Sequence, residues 1–523
     1  MGERRPCSVG ELLAARASEL GEKTYLVFGE RSYSFAEVYT RARAAAGGLK
    51  ALGVGKGRRV ALAMNNCPEF IFTWWGLMLL GATLVPINTR LTVKEAAYII
   101  NHSEAHAVVL GEGWSGQLQE LKPVCKGVQA WVCWEGGRQG ARALGEVLGG
   151  PVVEGPEELG AEHEAAVLYT SGTTGFPKGV VHTHGNYLLT AASFASACAL
   201  APTDTLLTAN PLFHVNAQFY SCMGTLWAGA KFVLAPRFSA SRMWDWTRAY
   251  NANKVVMLLA ITTILFNRPP TPRDADNPVE LVVAGGAPRG HYHDFEQRFG
   301  VKLQTLYSLT EAPLGIMSPI DQPCVDGAVG LPVRPAWGGE NRVRIVDEAG
   351  RDCPPGTPGQ ILISNPAVMK GYLKDPEATA QALKEGWVHT GDLGKSDEKG
   401  WVYFLGRAKD VIRKKGENIS AAEVEAAIAA HPAVKEAAVK AVQPPDAVGE
   451  DEVMAFVVWE EGQELSWQEL AGFCRQRLAD FKVPRFWAAA SALPKNATGR
   501  VMKNRLGDHT SPGVVDLLKE ERK

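Results

Sequence analysis

Apolar residues in the first part of the chain alternate between helical spacing and short continuous runs. After Ser34, which with Glu37 forms an N-terminal capping pattern, apolar residues follow at helical intervals: Phe35, Val38, Ala42, Ala45 and Leu49. The runs 59–64 and 106–110 are short and apolar, as expected for buried strands. The same alternation returns over residues 205–235 and 254–284. This rhythm predicts an α/β fold with parallel sheets and helices on both faces.

One longer apolar run, residues 70–87, has no charged residue and approaches the length of a membrane span. Gly76, Gly81 and Pro86 interrupt it, and proline cannot continue a helix. We therefore interpret the run as a buried helix to about Leu80, a turn and a buried strand.

The pattern changes after Arg342. Segments 343–346 and 361–363 are strand-like and are bordered by turn signals, and the turn 397–400 is of the same kind. Such hairpin chemistry predicts a small antiparallel sheet or β-barrel attached to the large domain.

A distinct region begins at about Asp410. Ser420 and Glu423 form a predicted capping box at the start of a helix. Strand-like segments at 437–442 and 453–459 follow, and then a helical segment at 466–478. This α+β region is predicted to be a second, smaller domain.

Composition and charge limit the possible functions. The 523 residues, 46% hydrophobic and 21% charged, exceed what one core accommodates and exclude wholesale disorder. The net charge of −1 offers no basic face for nucleic acid or an anionic membrane. Nine scattered cysteines without a CxxC pair argue for a reducing compartment and against a zinc site. The first residues show no secretory signal pattern, so the cytoplasm is the expected location.

The most informative stretch is 169–184, where an apolar lead-in is followed by small hydroxyl residues, glycines and one lysine. Glycines let backbone N–H groups converge on an anion, hydroxyls add donors, and lysine adds a positive charge. It is not a Walker A loop, because Pro177 and Gly179 flank the lysine. The alternative is a surface turn between two strands. The predicted polyphosphate cradle comprises Thr170, Ser171, Gly172, Thr173, Thr174, Gly175 and Lys178.

This stretch resembles the phosphate-binding loop of the AMP-forming adenylating enzymes, the superfamily of acyl-CoA synthetases, luciferases and peptide-synthetase adenylation domains. Further strings resemble that superfamily's motifs in the same order, so the resemblance covers nearly the whole chain. These strings begin at Pro211, Ala284, Tyr307, His389, Gly406, Lys414 and Leu493.

The resemblance implies a domain motion. It implies a large N-terminal adenylate-forming domain over 1–405, a hinge at 406–409 and a small mobile catalytic domain over 410–523. Lys409 would be the pivot, and the loop around Gly416 would enter the site for the second half-reaction.

The resemblance also implies a nucleotide site beyond the phosphate loop. Tyr307 would stack on adenine, and Asp392 would accept hydrogen bonds from the ribose hydroxyls beside Arg407. The implied set is Gly285, Gly286, Ala287, Tyr307, Ser308, Thr310, Asp392, Arg407, Lys409, Lys415, Gly416 and Glu417.

Catalytic roles follow from the same resemblance. Thr310 would bind the α-phosphate, and Lys178 the other phosphates. Glu311, with Thr174, would hold Mg²⁺, which prefers oxygen ligands. His214 would gate the carboxylate pocket or stack near the acyl group; alternatively, it is a core histidine.

The sequence departs from the superfamily pattern at two positions. Ser308 replaces a glycine, and its backbone can still contribute. Arg500 replaces the lysine that bridges the substrate carboxylate and the α-phosphate; it keeps the charge on a bulkier, planar group. Lys503 is near but occupies another position of the motif. Either Arg500 supports adenylation at a reduced rate, or adenylation is impaired.

The function implied is ATP-dependent, AMP-forming ligation of a carboxylic acid to coenzyme A. The resemblance favours a medium- or long-chain fatty acid or a related acid such as carnitine or crotonobetaine. One alternative is an adenylating enzyme that loads a carrier protein, although no carrier segment follows in this sequence. Another is a nucleotide-binding homologue in which Arg500 impairs adenylation. The expected partners are the acid, ATP and CoA, without nucleic acid; a homodimer stays open.

Two histidine pairs could suggest a metal site. Neither His182-x-His184 nor His291-x-His293 has partner spacing suited to zinc. Both pairs are therefore predicted not to bind metal.

Overall fold

The computed structural model describes residues 5–135, 140–170, 177–285, 291–407, 411–414, 417–445, 451–496, 499 and 501–520. The chain forms two compact units: the first comprises Met1–Val343 and Leu362–His389, and the second comprises Arg344–Ile361 and Thr390–Lys523. The hinge at 406–409 is not tested by this division and stays a prediction.

Helices and strands alternate through most of the described chain. The α-helices are α1 (Val9–Leu20), α2 (Phe35–Lys50), α3 (Pro68–Leu79), α4 (Val93–His102), α5 (Leu118–Val124), α6 (Leu144–Leu148), α7 (His184–Ala197), α8 (Met223–Ala228), α9 (Met243–Tyr250), α10 (Leu259–Phe266), α11 (Tyr292–Phe299), α12 (Pro376–Ala382), α13 (Ala421–Ala429), α14 (Trp467–Arg475) and α15 (Leu517–Glu520). A π-helix spans Asn216–Cys222.

The strands of the first half are β1 (Thr24–Phe28), β2 (Arg31–Ser34), β3 (Arg59–Ala63), β4 (Thr83–Pro86), β5 (Ala107–Leu110), β6 (Ala130–Cys133), β7 (Arg142–Ala143), β8 (Glu164–Thr170), β9 (Lys178–Thr183), β10 (Thr205–Thr208), β11 (Lys231–Leu234), β12 (Lys254–Met257), β13 (Leu281–Ala284) and β14 (Lys302–Tyr307). Those that follow are β15 (Ile316–Met317), β16 (Leu331–Pro332), β17 (Arg342–Val346), β18 (Gly359–Ser364), β19 (Gly371–Tyr372), β20 (Leu383–Lys384), β21 (Trp387–Ser396), β22 (Val402–Arg407), β23 (Val411–Lys414), β24 (Glu417–Ser420), β25 (Val434–Val442), β26 (Glu452–Trp459), β27 (Phe486–Ala489) and β28 (Val515–Asp516).

Two large, mainly parallel sheets form the first unit. One has the order β16-β15-β14-β13-β12-β10-β11-β1-β2 and is parallel from β14 to β1. The other has the order β19-β9-β8-β4-β3-β5-β6-β7 and is parallel from β8 to β7. At one end of this second sheet, β9 runs antiparallel to both β8 and β19. The parallel sheets predicted from the alternating pattern are confirmed.

The uncharged run 70–87 is a core element. Helix α3 ends at Leu79, Gly81 turns the chain with φ +64°, and β4 follows, fully buried. Trp74 and Trp75 are enclosed in the largest core cluster. The interpretation as helix, turn and strand is confirmed, and no described helix is long and apolar enough to cross a membrane.

The second unit contains the predicted α+β region. Its sheet has the order β25-β26-β27-β28, and β23 and β24 form a separate hairpin. Strand β21 pairs antiparallel with β22 across the predicted turn at 397–400. The β21–β22 pairing confirms the hairpin expected at the turn 397–400, and β17 lies beside β18 in the same sheet.

Of the two hydrogen bonds in the predicted capping box at Ser420, only the one to the Ser420 hydroxyl forms. The Ser420 hydroxyl accepts from the backbone N–H of Glu423 (3.3 Å). The Glu423 carboxylate instead accepts from Lys482 Nζ at 2.7 and 2.9 Å. The ammonium group attracts the carboxylate more strongly than a neutral backbone amide does.

Gly48 tests how closely α2 packs. A Cβ at Gly48 would lie 2.0 Å from the carbonyl oxygen of Val147, a backbone atom of α6. We expect Gly48→Ala to destabilise the first unit by about 1–3 kcal/mol, because backbone must move. Gly145→Ala is the matched control, since a Cβ there meets no atom within 4 Å, and it should be neutral or stabilising by up to about 1 kcal/mol. Differential scanning calorimetry measures both, and equal midpoints would contradict the packing.

Candidate active site

The two ends of the predicted phosphate loop lie side by side. Thr170, at the end of β8, pairs directly with Lys178, at the start of β9. Residues 171–176, which join them, lie outside the described part of the chain. Lys178 Nζ lies 5.2 Å from the centre of the Tyr372 ring, within cation–π range. Its ammonium group is therefore held against the Tyr372 ring.

Tyr372 connects Lys178 to Glu311. Its hydroxyl donates a hydrogen bond to Glu311 Oε1 at 2.8 Å. The Glu311 carbonyl accepts from the backbone N–H of Met369 at 2.9 Å. Both the side chain and the backbone of Glu311 are thus held by the segment 369–372.

His182 holds Thr310, the residue before Glu311. It is fully buried on β9, and its Nε2 lies 2.7 Å from the Thr310 carbonyl, which can only accept. Nδ1 faces Asn186 Oδ1 at 3.3 Å, and that oxygen already accepts from the Thr183 N–H at 2.9 Å. Burial lowers the pKa of His182 to about 4, so the neutral Nε2–H form is present at pH 7.

The other histidines of the two pairs have partners within the protein. His184 is also buried and accepts from the Val9 N–H through Nδ1 (3.2 Å). Exposed His291 pairs with Asp294. The described residues contain no group of three or more His, Cys, Asp or Glu side chains that could hold a metal.

Ser308 contacts the π-helix. Tyr307 ends β14, and the Ser308 hydroxyl lies 2.7 Å from the hydroxyl of Tyr220 in the π-helix. The Tyr220 hydroxyl is also 2.5 Å from the Pro313 carbonyl oxygen. The side chain that replaces the superfamily glycine therefore joins the segment after β14 to this helix.

His214 lies just before the π-helix and is partly exposed. Its ring meets the Phe213 ring edge-on, with centroids 4.7 Å apart. Burial, with a smaller contribution from the charge of Arg90, lowers the pKa of His214 to about 4. A neutral imidazole at this position can accept or donate without adding charge to the site.

Gly285, predicted to lie beside adenine, follows β13. A Cβ there would approach only the Leu259 amide nitrogen, at 3.9 Å, among its described surroundings. This position leaves an open backbone surface of the kind a flat base needs.

Asp392 and Arg407 meet in the second unit. They face each other across the β21–β22 hairpin, with 2.7 Å between Asp392 Oδ1 and Arg407 Nε. The Asp392 N–H donates to the Thr390 hydroxyl (3.0 Å), which in turn donates to the Ile361 carbonyl (2.7 Å). Asp392 is almost fully buried while Arg407 keeps a third of its side chain exposed. The ribose pair implied by the resemblance is thus an assembled ion pair.

Several predicted site residues lie outside the described residues and stay predictions. These are Ser171, Gly172, Thr173, Thr174, Gly175, Gly286, Ala287, Lys409, Lys415, Gly416 and Arg500. The backbone of Glu417 begins β24 opposite Lys414.

The surroundings of Arg500 are partly defined. Its neighbour Gly499 has φ +82°, and a bridge between Lys495 and Val501 closes the loop that contains it. Lys503 Nζ is 2.7 Å from Glu425 Oε1, in an ion pair with both side chains mostly buried. Lys503 is therefore engaged in an ion pair with Glu425.

Sequence reasoning missed Tyr372 and Tyr220. The one local signal for Tyr372 was Gly371, which has φ +150° and whose added Cβ would lie only 2.9 Å from the Thr379 side chain, so a larger residue is excluded there. For Tyr220 no local signal exists, since its partners lie 88 and 93 residues away.

Comparison with known proteins defines the family. The profile of the AMP-binding enzyme family matches residues 13–373, and that of the AMP-binding enzyme C-terminal domain matches residues 423–500. The chain belongs to the AMP-binding enzyme family. A curated relative, the crotonobetaine/carnitine–CoA ligase of Salmonella heidelberg (strain SL476), is 34% identical over 517 residues, which cover 94% of this chain and 97% of the relative.

Solved structures similar to this chain are also adenylating enzymes. ATP-bound MatB from Rhodopseudomonas palustris has a TM-score of 0.85 and 29% identity, covering 94% of this chain and 97% of its own. The O-succinylbenzoate coenzyme A synthetase of Bacillus subtilis, in complex with ATP and magnesium ion, has a TM-score of 0.82 and 26% identity, covering 95% and 99%. The prediction of an AMP-forming acyl-CoA synthetase is confirmed, with ATP and Mg²⁺ as cofactors and coenzyme A as co-substrate.

The buried state of His182 predicts an acid-dependent loss of stability. Its folded-state pKa of about 4 lies below the usual value of 6.5, so protonation favours the unfolded chain. Its contribution is complete above pH 6.5 and is lost as the pH falls towards 4. His182→Gln, which cannot titrate, should therefore lose about 2 kcal/mol less stability than the wild type between pH 7 and pH 5.

Urea unfolding at the two pH values measures this difference. The control is His291→Gln, which removes an exposed histidine and should follow the wild type. If His182→Gln also follows the wild type, then His182 is not a buried neutral donor.

Proposed function

We propose that this enzyme joins a short quaternary-ammonium carboxylic acid, crotonobetaine or carnitine, to coenzyme A through an acyl-adenylate. The observation that carries the choice of acid is the 34% identity, over 97% of its length, with the crotonobetaine/carnitine–CoA ligase. The fatty acid expected from the resemblance is the second candidate.

The contact of Tyr220 supports a short acid. An acyl tunnel between the π-helix and the segment after β14 would have to break both the Tyr220–Ser308 contact (2.7 Å) and the Tyr220–Pro313 contact (2.5 Å). A buried hydroxyl that loses its partners is costly. The two hydrogen bonds of the Tyr220 hydroxyl therefore favour a compact acid over a long apolar chain.

In this reaction the carboxylate attacks the α-phosphate and releases pyrophosphate, and the thiol of coenzyme A then displaces AMP. Catalysis of such a transfer is mainly positioning and charge neutralisation. Lys178 supplies positive charge for the phosphates, Thr310 binds the α-phosphate, and Asp392 with Arg407 binds the ribose. In the second step the region after Lys409 turns about that residue.

Glu311 fits the role of the Mg²⁺ ligand, with Thr174. One carboxylate oxygen takes the Tyr372 hydrogen bond, and the other has no hydrogen-bond partner among the described residues. A single carboxylate suits Mg²⁺, which takes its other ligands from phosphates and water. The bound ion neutralises phosphate charge.

A substrate panel tests the proposal. Pyrophosphate and AMP release are measured with carnitine, crotonobetaine, acetate, aryl acids and medium- and long-chain fatty acids, with and without CoA. We expect AMP formation that requires a betaine-type acid and CoA. Tyr220→Ala, which removes the closing ring, should then raise activity on longer acids relative to the wild type.

A preference for long-chain acids in the wild type would reject the betaine and leave the fatty acyl-CoA ligase. Transfer to a carrier protein but not to CoA would favour the carrier-loading alternative. Nucleotide binding without AMP release on any acid would leave a nucleotide-binding homologue.

Arg500 is tested separately. If its planar group fits the lysine position poorly, Arg500→Lys should raise the adenylation rate about tenfold, which corresponds to 1.36 kcal/mol of transition-state stabilisation. Thioester formation from a synthetic acyl-adenylate should change little.

Lys503→Gln is the control, because Lys503 is paired with Glu425, and it should leave adenylation unchanged. Adenylation abolished by Lys503→Gln but not by Arg500→Gln would assign the charge to Lys503 instead.

A further inference from the structure

We propose that Tyr372 determines which divalent cation can accompany ATP, because its hydroxyl reserves one oxygen of the Glu311 carboxylate and leaves only the other for the cation. This inference rests on the metal-binding role proposed for Glu311. It assigns Tyr372 as a positioning residue that acts through that carboxylate.

The Tyr372 hydroxyl is rigidly placed. The residue pairs with Val180 of β9, and its backbone N–H donates to the Thr379 hydroxyl at 2.9 Å. Its ring lies under the Lys178 ammonium, 5.2 Å from Nζ. Strand pairing, a hydrogen bond and a cation–π contact together fix the point from which the hydroxyl reaches Glu311.

Glu311 is held both at its carboxylate and at its backbone. Tyr372 donates to Oε1 at 2.8 Å, and the Met369 N–H fixes the Glu311 carbonyl at 2.9 Å. A hydrogen bond to an ionised carboxylate is stronger than one between neutral groups. Rotating the carboxylate so that both oxygens face one cation would lose this bond.

Cations differ in what they require of a carboxylate. Mg²⁺ demands a near-octahedral shell at about 2.0–2.1 Å, which one carboxylate oxygen satisfies. Ca²⁺ is larger, takes about 6–8 oxygen ligands and often binds both oxygens of one carboxylate. A carboxylate with one oxygen occupied therefore disfavours Ca²⁺ relative to Mg²⁺.

Other described side chains do not offset this constraint. The described residues contain no cluster of three or more potential metal-ligating side chains. Among the described residues, Glu311 is therefore the ligand whose geometry can bear on cation choice, beside Thr174, the nucleotide and water.

The test is nucleotide binding rather than turnover. Calorimetry measures the Kd of α,β-methylene-ATP, without acid or CoA, in the presence of Mg²⁺ or Ca²⁺, for the wild type and Tyr372→Phe. Phenylalanine keeps the ring under Lys178 and removes only the hydroxyl. The ratio of the Ca²⁺ Kd to the Mg²⁺ Kd should fall about tenfold, as expected for one charge-assisted hydrogen bond.

Two variants separate the possible failures. Thr379→Val removes the acceptor of the Tyr372 N–H and should weaken both complexes alike, leaving the ratio unchanged. Glu311→Gln should abolish the cation dependence of nucleotide binding. If it does not, the metal-binding role of Glu311 is wrong; if it does and Tyr372→Phe keeps the wild-type ratio, the inference about Tyr372 alone is overturned.

Should Tyr372→Phe not fold, Glu311→Asp gives the same answer. Shortening the side chain by one methylene withdraws the carboxylate from the hydroxyl but keeps its charge. The ratio should again fall, and an unchanged ratio would overturn the inference.

Discussion

The backbone of β9 positions Lys178 and the segment that contains Tyr372. On one side β9 pairs with β8, which places Lys178 opposite Thr170. On the other side its carbonyls accept from the segment that contains Tyr372: Val181 from Lys370 (2.9 Å) and Gly179 from Leu373 (2.8 Å). The glycine after the motif lysine also has a packing reason, because a Cβ at Gly179 would lie 2.7 Å from the Val167 side chain and 3.0 Å from the Tyr169 ring.

Two opposite charges meet on one tyrosine. The Lys178 ammonium lies over the face of the Tyr372 ring, and the Glu311 carboxylate accepts from its hydroxyl. A hydroxyl that donates to an anion makes the ring more electron-rich, which strengthens its attraction for a cation. Tyr372 thus holds the ammonium and the carboxylate at different parts of one side chain, the ring face and the hydroxyl, and leaves each available for a further partner of opposite charge.

Much of the fold could be predicted from sequence because its signals are local. The helix after Ser34, the turn at Gly81 and the parallel strands depend on residues a few positions apart.

Asp392 and Arg407 could be predicted from their motifs, although their direct pairing could not. Tyr372 was missed because its contact with Glu311 spans 61 residues. The bond of His182 to the Thr310 carbonyl, 128 residues away, has no local pattern in the sequence. The predicted capping box at Ser420 is incomplete because the Glu423 carboxylate accepts a hydrogen bond from Lys482, 59 residues away.

The ion pair of Lys503 bears on how this chain adenylates its substrate. A lysine three positions after Arg500 could in principle replace the absent lysine by a shift of the loop. Its pairing with Glu425 at 2.7 Å opposes such a shift, since a mostly buried ion pair would have to be broken. The bridge between Lys495 and Val501 also ties the loop's ends together. Lys503 is therefore a poor substitute for the absent lysine, and the role of Arg500 in adenylation stays a prediction.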